Sequence, residues 1–181
     1  MLSNRKTIVA CSTPPGRGAI STVRLSGKRA VNIVQKITRR KLKKKSCVLE
    51  FPLDKGLKEK CVLTIFRSPN SYTGENVVEI STHGNPLIVE KVIQQCVNAG
   101  AFIAEPGEFT LRAYLNNKLS IDQSEAVIEV INANSLASLK AAQNSLNGGL
   151  RLRISKVQQK LREARVLVET LIDFVDEDVD I

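Results

Sequence analysis

Tryptophan is absent from this chain of 181 residues, aromatic residues make up 4% of it, and there is a single histidine. One histidine and four dispersed cysteines, Cys11, Cys47, Cys61 and Cys96, with no Cys-x-x-Cys pair among them, offer neither a structural zinc site nor a disulfide framework. No stretch approaches the roughly 18 consecutive apolar residues of a membrane span, and the opening Met1-Leu2-Ser3-Asn4-Arg5-Lys6 has no apolar signal core. The expectation is a cytoplasmic protein in a reducing compartment, with no metal and no membrane partner. A phosphate-binding loop is also missing. The Gly-Lys pair Gly27-Lys28 is followed by Arg29, and Thr22 stands where the first glycine belongs, so nucleotide hydrolysis cannot be read from these residues.

What is present is 43% hydrophobic residues, enough for a real core, and a net charge of +9. The charge is uneven: Met1 to Lys118 carries 20 basic and 8 acidic residues, Leu119 to Ile181 carries 7 and 10. Seven of the basic residues, Lys36, Arg39, Arg40, Lys41, Lys43, Lys44 and Lys45, form one local run. Such a run is a solvated loop or a phosphate-tracking patch, and the lack of interleaved aromatics removes the base-stacking half of a single-strand binder.

The texture changes near residue 118. Before it, Thr7 to Thr13 and Ile20 to Leu25 read as strands, and Ser26 is expected to cap a helix whose apolar positions Ala30, Val31, Val34 and Ile37 fit a 3.6 period. Cys61 to Phe66, Val77 to Thr82 and Ala101 to Ile103 are further strands, and Leu87 to Ala99 is a helix burying Val89, Val92, Ile93 and Cys96. Strands interrupted by helices predict an α+β class, a mixed α/β first domain over 1–118, followed by an all-α segment over 119–181. In that segment Ser120-Ile121-Asp122-Gln123 has capping-box form, and Ser135 caps a second helix ending at Asn147-Gly148-Gly149. A third helix carries a heptad seam of Leu150, Ile154, Val157, Leu161, Ala164, Val168, Leu171 and Val175, too long for two short neighbours to cover. The expectation is a piece of a larger protein.

Three stretches carry polar residues where a core would not want them. Thr13-Pro14-Pro15-Gly16-Arg17-Gly18 is a tight connection that brings Arg17 to a sheet end, and Arg24 shares a strand face with Ile20 and Thr22. A guanidinium there needs a carboxylate, a phosphate or a ligand acid group. In the second stretch Glu79 lies between Val78 and Ile80, on the face of Val77, Ser81 and His83, which implies a paired charge or a ligand contact. His83 reads as a structural hydrogen-bonder, and nothing resembles a nucleophile with its base. The third, Glu105 to Leu119, holds a Pro-Gly turn, a short helix and an Asn-Asn turn that sets Lys118 at a junction, either as a linker lysine or beside a ligand.

In order along the chain, Thr13-Pro14-Pro15-Gly16-Arg17-Gly18, Val23-Arg24-Leu25-Ser26-Gly27, Pro69-Asn70-Ser71-Tyr72-Thr73-Gly74-Glu75, Val78-Glu79, His83-Gly84, Pro106-Gly107-Glu108-Phe109-Thr110, Arg112-Ala113-Tyr114-Leu115-Asn116 and Lys118-Leu119 closely resemble the amino-terminal part of the tRNA-modification GTPase family MnmE, also called TrmE. Gln123-Ser124-Glu125-Ala126 and Ile172-Asp173-Phe174 continue the likeness. The resemblance implies a folate-binding and dimerising domain over 1–118, similar in fold to the tetrahydrofolate-binding part of the glycine-cleavage aminomethyltransferase. Residues 119–181 would then begin a helical domain into which the family inserts its GTPase domain.

The folate contacts it implies are Arg24, Glu79 and Lys118, with 5-formyltetrahydrofolate or a related reduced folate as cofactor. It further implies a homodimer, the flavoprotein partner MnmG and tRNA modified at the wobble uridine. GTP, with Mg and K, belongs to the family's G domain, which these residues do not include. Nor do they include the family's carboxy-terminal Cys-containing tetrapeptide. Asn85, where relatives usually have Gly, and the basic run are smaller departures. Two other readings remain: a small basic tRNA-binding module using Lys36 to Lys45, and a stand-alone folate-dependent one-carbon transferase.

Overall fold

The computed structural model describes residues 6–173. The chain divides into two compact units, one ending at Leu119 and the other starting at Ser120. The first contains β1 (Ile8–Cys11), β2 (Gly18–Ser26), α1 (Ala30–Thr38), β3 (Ser46–Asp54), β4 (Leu57–Phe66), β5 (Val77–Gly84), α2 (Pro86–Asn98), β6 (Phe102–Ile103) and α3 (Glu108–Leu115). Its strands form one six-stranded sheet in the order β3-β4-β5-β2-β1-β6, antiparallel except for the β1–β6 pair. The α+β class expected from the alternation of strands and helices is the one observed.

Period-2 alternation decides the faces. Val23, Leu25, Leu49, Phe51, Leu63, Val78 and Ile80 are buried together on one face against Ala30, Ile33 and Val34 of α1 and Val92 and Cys96 of α2. The opposite face is covered at one end only. There Ile8, Ser26 and Val77 are buried, whereas Ile20, Val48 and Val62 further along the same face are 66%, 59% and 42% exposed. Gly84 is required where β5 meets the start of β2, because a Cβ would collide with the backbone of Gly18. The neighbouring Asn85 caps α2, its Oδ1 accepting from the Leu87 N–H at 2.9 Å with Pro86 in the first turn.

Ser26 does not cap α1. Strand β2 runs through it, and its hydroxyl bonds Thr73 Oγ1 and Glu75 Oε2, both at 2.7 Å, while Arg29 takes the cap position without a side-chain bond. Strand β3 is not among the strands expected from the sequence: Leu49, Phe51 and Leu53 alternate with Val48, Glu50 and Pro52, but the adjoining lysines and the proline mask the period.

The second unit holds α4 (Ile121–Asn132), α5 (Leu136–Leu146) and α6 (Gly149–Asp173). Gln123 completes the Ser120 capping box and also donates from Nε2 to the Leu146 carbonyl at 2.8 Å, which sets the start of α4 beside the end of α5. The seam of α6 is open to solvent, from Leu150 at 42% exposure to Leu161 at 65%. Phe174 and Val175, counted above in the motif and the seam, lie outside the described residues. Among the described residues no helix is long and apolar enough to cross a membrane.

All four cysteines are free. Burial disfavours the thiolate of Cys61 and of Cys96 and pushes each thiol up to about 12. At pH 8 iodoacetamide is therefore expected to alkylate Cys11 and Cys47, which are partly exposed, and to reach Cys61 and Cys96 only after denaturation. Comparable labelling of all four in the native protein, read by peptide mass spectrometry, would contradict this packing.

Candidate functional site

Arg24 and Glu79 are direct partners in the β2–β5 register, with Ala10 beside Arg24 on β1 and Thr64 beside Glu79 on β4. Short neighbours on either side leave the two charged side chains standing clear on the sheet face. Arg24 donates from Nε to a single carboxylate oxygen, Glu79 Oε1, at 2.9 Å, and its Nη2 forms an ion pair with the same oxygen at 2.7 Å. Glu79 Oε2 has no hydrogen-bond partner among the described residues. The Arg24 guanidinium carbon lies 5.5 Å from the Tyr72 ring centre and 5.7 Å from that of Phe109, within cation–π range of both. A cleft of about 360 Å³ opens here, lined by Cys11, Ser12, Arg24, Pro106, Phe109 and Thr110 among others. Arg24 and Phe109 line it directly, whereas Glu79 and Tyr72 adjoin Arg24 without lining the cleft themselves.

The walls of the cleft are fixed from behind by Arg112, which the sequence reading had passed over. Buried at 7% side-chain exposure, it donates from Nε and Nη2 to Glu108 Oε1 and from Nη1 to both oxygens of Glu75 and to the Lys6 carbonyl. This ties α3, which carries Phe109, to the segment that carries Tyr72, and to the start of β1. The Tyr72 hydroxyl and Thr110 Oγ1, 2.9 Å apart, close the same joint at the surface. The four-residue spacing of Glu108 and Arg112 on a helix was the available signal. The Glu75 partner is non-local and carried none.

Lys118 stands on the same segment from the other side. Its stem lies against Gly74, where a Cβ would sit 3.2 Å from Lys118 Cγ and where φ is +74°, so glycine serves both the turn and the approach. The ammonium is exposed and makes no ion pair among the described residues, and no hydrogen bond joins it to Arg24 or Glu79. Arg17 is not part of this cleft: it precedes β2, roughly 20 Å of strand from Arg24. His83 lies toward that far end too, its Nδ1 2.6 Å from Glu59 Oε1, a structural contact as expected. A larger groove of about 590 Å³ between α2 and Thr13–Gly16 is mainly apolar, and within it no carboxylate meets a guanidinium.

Two family models match the chain: the GTP-binding protein TrmE N-terminus over residues 7–118 and the MnmE helical domain over 121–181. The chain belongs to the MnmE (TrmE) family. Its relatives include the tRNA modification GTPase MnmE of Francisella philomiragia, 42% identical over 182 residues, covering 97% of this chain and 39% of that protein. The same name and identity hold for Francisella tularensis subsp. holarctica, again with 97% and 39% covered. The chain thus spans about two fifths of the length of these MnmE proteins.

Removing Arg112 leaves two carboxylates, Glu75 and Glu108 at 11% and 14% exposure, without their counter-charge. Arg112→Ala is expected to lower unfolding stability by about 3–5 kcal/mol in urea titrations. Arg112→Lys should recover only part of it, because an ammonium cannot span the fork of acceptors. Full stability in the lysine variant would show that charge alone, not the guanidinium geometry, holds the joint.

Proposed function

We propose that this chain binds a reduced folate in the Arg24–Glu79 cleft and forms a homodimer through residues 1–118, as the amino-terminal part of a tRNA-modification GTPase. The observation that carries the reading is an Arg24–Glu79 pair in which one carboxylate oxygen is unused and the guanidinium lies within reach of two aromatic rings. A pterin presents N3–H beside a 2-amino group, a donor pair suited to a carboxylate, and a flat ring suited to aromatic walls. The cleft volume of about 360 Å³ falls in the ordinary range for small-ligand sites. Lys118, without an ion pair among the described residues and packed on Gly74 near Tyr72, would meet the anionic glutamate tail or a one-carbon substituent.

In the whole protein this domain would supply a one-carbon unit from 5-formyltetrahydrofolate or a relative. GTP hydrolysis would fall to a separate G domain, and MnmG would join in aminomethyl-type modification of the tRNA wobble uridine in the cytoplasm. Residues 119–181 would be the first part of the helical domain. The exposed apolar side chains Ile20, Val48 and Val62, grouped on one sheet face, support self-association there.

Titration calorimetry with 5-formyltetrahydrofolate should show Glu79→Ala and Glu79→Gln each weakening binding at least tenfold, the loss of one charge-assisted hydrogen bond or more. Unchanged affinity in both would remove Glu79 from the site. In sedimentation, the 19.9 kDa chain should run as a dimer and the Ile20→Glu/Val62→Glu variant as a monomer. A wild-type monomer at tens of micromolar would end the dimer reading while leaving the folate reading intact.

A further inference from the structure

The loop between α1 and β3, residues 39–45, holds six of the seven clustered cations and lies outside the folate site proposed for Arg24, Glu79 and Lys118. Arg39, Arg40, Lys41, Lys43, Lys44, Lys45 and the preceding Lys36 are all exposed, and none of them enters an ion pair among the described residues. Glu50 on β3 is bonded to Lys58 at 3.0 Å, and Arg40 of the loop acts on it only as a lesser electrostatic influence. Seven like charges in ten positions repel one another, and a chain free to do so would spread them apart. This one is pinned. Leu42 is buried in the core at 6% exposure in the middle of the run, Arg39 turns the chain in a left-handed conformation at φ 53°, and the Lys45 carbonyl accepts from the Ile65 N–H at 2.7 Å. The fold therefore spends packing and a β4 hydrogen bond to hold two cationic triplets, Arg39-Arg40-Lys41 and Lys43-Lys44-Lys45, on either side of one anchor.

We infer that this loop is a docking ridge for the phosphate backbone of a structured RNA. Seven residues reach about 23 Å at most, a length that spans several phosphates along a strand. Pre-fixed charges lose less entropy on meeting them than a disordered arm would. The run exposes no aromatic or large apolar side chain, Leu42 being inward, so it has nothing to stack on bases and nothing to insert at a bilayer boundary. Contacts are thus to phosphates and blind to sequence. The choice of RNA over another polyanion rests on the tRNA-modification reading above; the ridge itself rests on charge and anchoring.

The test is fluorescence anisotropy of a labelled tRNA with the 181-residue chain and with Lys41→Gln/Lys43→Gln/Lys44→Gln/Lys45→Gln, across 50–200 mM salt. With about four phosphate contacts the wild type should lose about 100-fold in affinity over that range. The quadruple variant should bind at least tenfold more weakly at 100 mM, with a log–log salt slope shallower by about 3. Lys156→Gln/Lys160→Gln on α6 should bind as wild type. Equal affinity and slope in the quadruple variant, no RNA binding by the wild type, or binding to phosphatidylglycerol vesicles in place of RNA would each overturn the inference. The quadruple variant should keep its affinity for 5-formyltetrahydrofolate, which shows it folded. If neither protein binds folate while the RNA difference persists, it is the folate reading that fails.

Discussion

Everything on the polar side of the sheet hangs on one guanidinium. Arg112 faces four acceptors on three separate pieces of chain: Glu108 on its own helix, both oxygens of Glu75, and the Lys6 carbonyl. Burying three charges costs several kcal/mol per ion before any return, so an apolar cluster of equal volume would serve stability as well or better. What an apolar cluster would not fix is direction. The planar fork demands its acceptors in defined places, and in doing so sets the distance between the helix that carries Phe109 and the segment that carries Tyr72.

The same distinction applies to Arg24 and Glu79. About a quarter of each side chain is exposed, and a pair so placed contributes at most about 1 kcal/mol, no more than an ordinary apolar cross-strand pair. Its value has to lie in what it presents. Both Arg24 contacts fall on one oxygen of Glu79, and the other oxygen has no hydrogen-bond partner among the described residues, an arrangement that does little for stability and leaves an acceptor unused. One sheet thus divides its labour by parity: odd positions of β2 build the core under α1 and α2, and the even positions build a cleft at one end and an exposed apolar surface at the other.

Parity is also why so much of this was readable in the sequence. The two-residue period of Val23, Leu25, Val78 and Ile80 gave the core face and, by subtraction, put Arg24 and Glu79 on the other. Helix α2 and the capping box at Ser120 follow from local chemistry that needs no partner. The failures share one cause. Ser26 is a good cap in isolation, yet tertiary partners at Thr73 and Glu75 claimed its hydroxyl and kept it in strand. Strand β3 was hidden because the lysines before it and Pro52 within it obey edge-strand rules rather than propensity. Tyr72 and Phe109 both reach Arg24 through non-local packing, and spacing along a chain carries no trace of that.

The positive charge, finally, is of two kinds that behave differently. Arg24 is largely neutralised by Glu79, so on the proposed folate reading an anionic tail would rely on Lys118, which makes no ion pair among the described residues, and its binding should fall only weakly with salt. Among the described residues none of the loop cations from Arg39 to Lys45 is in an ion pair, so they would act together on a polyanion, and their effect would multiply with each counterion released. A net charge of +9 says nothing of this difference, because the total counts paired and unpaired groups alike. What separates a small-molecule contact from a polyelectrolyte surface is the local balance of partners, and on this domain the two balances sit at residues far apart in the chain.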